Sequence, residues 1–124
     1  MKKYLLSLLA LVVFCSFTKY SFTEIINALK SGNAAEVAKY FDNNVEITLA
    51  GKISSYSKSN AEIVIRDFFK DNPVKGFKVI HQGENAGSQY CIGNLITGNG
   101  LFRTTIYTKQ KGDNQVIQEL RFDK

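Results

Sequence analysis

The 124-residue chain has no tryptophan, one proline, one methionine, one histidine and two cysteines. The scarcity of histidine and of cysteine each removes a class of explanation. A zinc site needs clustered histidine, cysteine or carboxylate ligands, and a lone His81 without neighbouring cysteines does not supply one. Cys15 falls in an apolar leader, so only Cys91 belongs to the body of the chain. No disulfide framework can form there, and stability must come from the core, in which Cys91 reads as a small buried hydrophobe. No catalytic motif or phosphate loop is present, and no metal or other cofactor is expected. The 16 basic residues against 11 acidic give a net charge of +5. Yet Lys75, Lys78, Arg103, Lys109, Lys111 and Arg121 are dispersed among acidic and apolar residues. Without an arginine-rich run or aromatic–basic interleaving, nucleic acid is not an expected partner.

What is present begins with a leader. Lys2 and Lys3 precede the apolar run Leu5 to Phe14, LLSLLALVVF, which has the length of a signal-peptide core and is too short to span a bilayer as a helix. Residues 1–17 are expected to be an export signal and residues 18–124 one domain, periplasmic or secreted. Loss of Lys2 and Lys3 leaves 14 basic against 11 acidic residues, a net +3. Membrane attachment is expected only if Cys15 is lipidated. Against lipidation, Phe14 is bulky where the residue before an acylated cysteine is ordinarily small.

The stretch Ser59 to Gly83 carries the strongest structural signals. Ser59 and Glu62 stand in capping-box spacing. Behind them Ala61, Val64, Ile65, Phe68 and Phe69 recur at helical intervals, with Asn60, Arg66, Asp67, Lys70 and Asp71 on the other side. Pro73 stops this helix, and Gly76 releases the chain into a strand. Upstream, Phe22–Ser31 shows an apolar helical face ending at Gly32, and Asn33 caps a short helix with Ala34, Val37, Ala38 and Phe41 on its apolar side. The period then changes to two at Val45, Ile47 and Leu49, with Ile53 to Tyr56 as a short partner strand. Downstream, Phe77–Gly83, Ser88–Thr97, Leu101–Lys109 and Gln115–Phe122 are separated by turn residues, as in an antiparallel meander. The fold class expected is α+β: a curved antiparallel sheet wrapped around a long helix, preceded by two N-terminal helices.

This order resembles the nuclear transport factor 2-like, or cystatin-like cone, superfamily, and within it a small group of exported bacterial domains of unknown function. The residues that carry the resemblance are Lys30–Ala34, Phe68-Phe69, Phe77–Gly83 (FKVIHQG), Tyr90–Gly93, Leu95–Thr97 and Gly100–Arg103. The resemblance implies the fold. It does not imply an activity, because the superfamily hosts isomerases, dehydratases, binding modules and assembly domains on one scaffold.

Four residues are candidates for a site. Strand alternation puts His81 on the side of Phe77 and Val79, where it would act as a general base or ligand donor, or simply tie two strands together through a hydrogen bond. Arg103 shares a face with Thr105 and Tyr107 and would clamp an anion, or pair with Glu119. Tyr90 and Tyr56 offer apolar bodies with polar tips. Glu46 and Glu119 alternate with apolar neighbours and are expected to point away from the core. Three functions follow as expectations. The first is a non-enzymatic domain that binds a small apolar or amphipathic ligand, or a partner, on the concave face of the sheet. The second is an isomerase- or hydratase-like enzyme using His81 with Arg103 or Tyr90. The third is a self-association module, implied by the sheet-to-sheet pairing seen in the superfamily.

Overall fold

The computed structural model describes residues 22–124. The leader, its Leu5–Phe14 run and Cys15 lie outside the described residues. In chain order come α1 (Phe22–Ser31), α2 (Ala34–Ala38), β1 (Phe41–Leu49), β2 (Lys52–Ser57), α3 (Lys58–Asp71), β3 (Val74–Asn85), β4 (Ser88–Thr97), β5 (Gly100–Lys111) and β6 (Asn114–Asp123). The strands form one curved sheet in the order β2-β1-β6-β5-β4-β3. The helices cover one face of it.

Local chemistry accounts for most of these boundaries. Gly32 closes α1, its N–H donating to the Leu29 carbonyl at 3.2 Å. Asn33 caps α2, its side-chain oxygen accepting from Ala35 and Glu36 N–H at 3.0 and 3.3 Å. Phe41, expected on the apolar side of α2, instead opens β1. The cap of α3 also differs from the sequence expectation. The helix begins at Lys58, and Ser57 rather than Ser59 is the N-cap, accepting from the Asn60 N–H at 3.4 Å. The reason is that β2 delivers Ser57 in the extended backbone an N-cap requires. Ser59 is then inside the first turn, and Glu62 pairs with Arg66 instead of reaching back. At the other end Asn72 and Pro73 stop α3 as expected. The β4–β5 turn fastens that end: Asn99 Nδ2 donates to the Asp71 carbonyl at 2.6 Å, and Gly98 N–H to the Pro73 carbonyl at 2.9 Å.

The meander β3-β4-β5-β6 is antiparallel throughout. The expected strand pair β1-β2 joins it through a parallel contact of β1 with β6, which the local sequence pattern did not indicate. The core lies between the sheet and the helices. Ile25 and Leu29 of α1, Val37 of α2, and Ala61, Ile65 and Phe69 of α3 meet Ile47, Leu120, Ile106, Cys91, Leu95 and Phe77 from the strands. Each large side chain so buried is worth roughly 1.5–3 kcal/mol relative to exposure.

Candidate functional site

At the C-terminal end of α3 the core opens. Phe68 lies on the flank of the helix, half-buried. Phe102 and Phe122 each stand two residues from a buried neighbour, Thr104 and Leu120, and so share its place on the helix-covered face of β5 and β6. The Phe68 and Phe122 rings stack at 4.4 Å between centroids, and Phe68 meets Phe102 edge-on at 5.1 Å. Together with Leu49, Ala50 and Asn72 they line a recess of about 320 Å³. Lys124 stands at its rim with Nζ 5.3 Å from the Phe102 ring centroid, a cation–π contact. The Asn72 amide is already engaged, donating to the Phe68 carbonyl at 3.0 Å and accepting from Asn99 at 3.3 Å. Among the described residues, the ammonium of Lys124 is therefore the charged group this apolar recess presents to an entering molecule. The recess is near the lower end of the size range of small-molecule sites.

None of the four candidates read from the sequence lines this recess. His81 sits on the opposite face from Phe77 and Val79, not beside them. Between Val79, opposite Gly93, and His81, opposite Ile92, the strand carries one extra residue, Ile80, and this bulge turns His81 over. On the open face its Nε2 is 2.8 Å from the hydroxyl of Tyr90. Tyr90 lies flat over Gly83, where a Cβ would stand 2.7 Å from the ring. Arg103 is on the open face with Thr105 and Tyr107, as the alternation indicates. It is opposite Asp123 rather than Glu119, which faces Tyr107. Tyr56 is half-buried against the core, at the β2 edge. So His81 and Tyr90 meet, while Arg103 and Tyr56 stand apart from them. Cys91 is fully buried, and burial pushes its thiol up to about 11, away from the thiolate that nucleophilic chemistry needs. Among the described residues no group of three or more His, Cys, Asp or Glu side chains is placed to hold a metal ion.

The sequence reading missed Leu49, Phe102 and Phe122 as site residues. The signal available was the position of Phe102 just after one turn and of Phe122 near the end of its strand. Such positions reach the margin of a sheet, where a helix of limited length stops covering them.

The profile of the family described as "Domain of unknown function (DUF4783)" matches residues 22–123. The chain belongs to the DUF4783 family. It is similar to the crystal structure of a DUF4783 family protein from Bacteroides ovatus ATCC 8483, with 33% identity, 86% of this chain and 97% of that one covered, and a TM-score of 0.81. A second, from Bacteroides uniformis ATCC 8492, shares 34% identity over 83% of this chain and 95% of that one, with a TM-score of 0.79. An NTF2-like protein of unknown function from Cytophaga hutchinsonii ATCC 33406 shares 15% identity, with 86% and 93% covered and a TM-score of 0.59. At that identity the likeness concerns the fold, and it agrees with the nuclear transport factor 2-like architecture expected from the sequence. No curated protein matches the chain. This DUF4783 domain is thus placed by family and fold.

Proposed function

We propose that this DUF4783 domain is exported and binds a small amphipathic molecule without transforming it. The apolar part of the ligand enters the recess between Leu49, Phe68, Phe102 and Phe122, and an anionic end meets Lys124. The observation that carries this reading is the convergence of three phenylalanine rings on an opening that the α3 end leaves unfilled. Walls without carboxylate, imidazole or hydroxyl side chains offer binding energy and no acid–base pair. The leader Lys2 to Phe14 supports the export part. The test is calorimetric titration with straight-chain carboxylates of increasing length. Each added methylene should tighten binding about fourfold until the recess is full, and Lys124→Gln should weaken carboxylates more than the matching alcohols. An affinity indifferent to chain length would refute the reading.

A second reading, self-association through the open face of the sheet, is favoured by one observation. Ile96 and Leu101, opposite each other on β4 and β5, are 41% and 55% exposed there. Sedimentation should then show a dimer that Leu101→Lys dissociates, and a monomer at high concentration would remove the idea.

A further inference from the structure

The open face carries a second concavity, larger than the first, on the other side of the sheet from the phenylalanine recess. The pairing of β1 with β6 lapses between Phe41 and Glu46, and Gln118 is an extra residue in β6 between Ile117 and Glu119. These two irregularities open a recess of about 460 Å³ lined by Asn44, Glu46, Ser55, Tyr107, Gln118 and Glu119, among others. Strand register arranges the main groups in a row: Ser55 opposite Glu46, Glu46 opposite Glu119, Glu119 opposite Tyr107, and Tyr107 opposite Tyr90. The Tyr107 and Tyr90 rings are 6.3 Å apart, and Tyr107 is 43% exposed.

Two like charges set side by side on adjacent strands repel. In a chain with more basic than acidic residues, a lysine or arginine would be expected between them. None is there. Among the described residues the side chains of Glu46 and Glu119 have no hydrogen-bond or ion-pair partner. The nearest basic residues along the same strands lie nearer other carboxylates: Lys109 is 3.9 Å from Asp42, which Lys111 holds at 2.8 Å, and Arg121 is 3.7 Å from Asp123. The recess thus combines two carboxylates without a direct partner, an accessible aromatic face, and hydroxyl and amide oxygens. That combination matches an organic cation, which donates charge-assisted hydrogen bonds to carboxylates and makes a cation–π contact with a tyrosine ring.

We infer that the open-face recess between Glu46, Glu119 and Tyr107 binds an alkylammonium group. The group belongs to a free amine or to the lysine side chain of a peptide. Binding here is independent of the amphiphile recess, whose walls are on the opposite face.

The test is titration of the protein with butane-1,4-diamine, with a lysine derivative blocked at both its α-amino and carboxyl groups, and with calcium chloride. Wild type should bind at least one of the two amines, more weakly as salt is raised. Binding of the diamine alone assigns a free amine, and binding of the blocked lysine assigns a side chain. Glu119→Gln and Tyr107→Leu should each weaken that amine, Glu119→Gln by about tenfold or more. Glu119→Gln should melt at or above the wild-type temperature, since it relieves repulsion and breaks no contact. Calcium binding without amine binding, amine affinity unchanged in Glu119→Gln, or a lowered melting temperature in that variant would each overturn the assignment.

Discussion

Phe77 of β3 lays its ring across Gly93 of β4, so close that a Cβ on residue 93 would stand 2.5 Å from the ring carbon Cζ and 2.6 Å from the Lys78 carbonyl oxygen. The ring is itself buried in the core. Gly93→Ala must therefore displace either an aromatic side chain with no room to turn or the neighbouring backbone. The expected cost is about 2 kcal/mol, at the level of overpacking in a filled core. Urea denaturation should show a lower midpoint with an unchanged slope. Phe77→Leu placed in the same variant should restore only part of the loss, because the carbonyl clash persists.

The start of α3 distinguishes two serines. Ser57 accepts from the Asn60 N–H, and Ser59 lies one residue beyond the first helical position. Ser57→Ala should cost about 1 kcal/mol, the usual loss for an N-cap. Ser59→Ala should change stability by less than about 0.5 kcal/mol, as expected of a surface position. Equal effects of the two substitutions in thermal or urea unfolding would mean that the cap is shared.

Cys91 gives a pH signature. Burial raises its thiol from 9.0 to about 11 in the folded chain, while the unfolded chain ionises at the ordinary value. The neutral thiol therefore favours the folded state fully below about pH 9, and the benefit disappears as the pH climbs toward 11. Cys91→Ala should be less stable throughout, from the lost packing, but should decline less steeply across that interval than wild type. A thiol reagent at neutral pH should label the native protein only as fast as it opens.

Much of the architecture was legible because the chain's local signals agree with one another. Phe22–Ser31 was readable from its apolar face and Gly32, and Ser88–Thr97 from its alternation between turn residues. The site was less legible, for a physical reason. Alternation assigns a face only while register is unbroken, and the extra residue Ile80 reverses the assignment for His81. Glu46 and Glu119 point away from the core, as their alternation with apolar neighbours predicts. Their juxtaposition depends on a parallel contact between strands some seventy residues apart, which period and turn chemistry do not encode. Likewise, Phe102 and Phe122 look like ordinary core residues until the length of α3 is known.

The seating of β6 between β1 and β5 has a consequence for how the molecule comes into being. Without this segment, β2-β1 and β5-β4-β3 are two separate ribbons, each with an unsatisfied edge. Because β6 follows the other five described strands along the chain, the two ribbons cannot be joined until it has docked between them. Until then both ribbons present free edges to other chains. Aggregation should accordingly be most acute for variants that lack Asn114–Asp123, and helpers that shield strand edges should matter most before β6 docks.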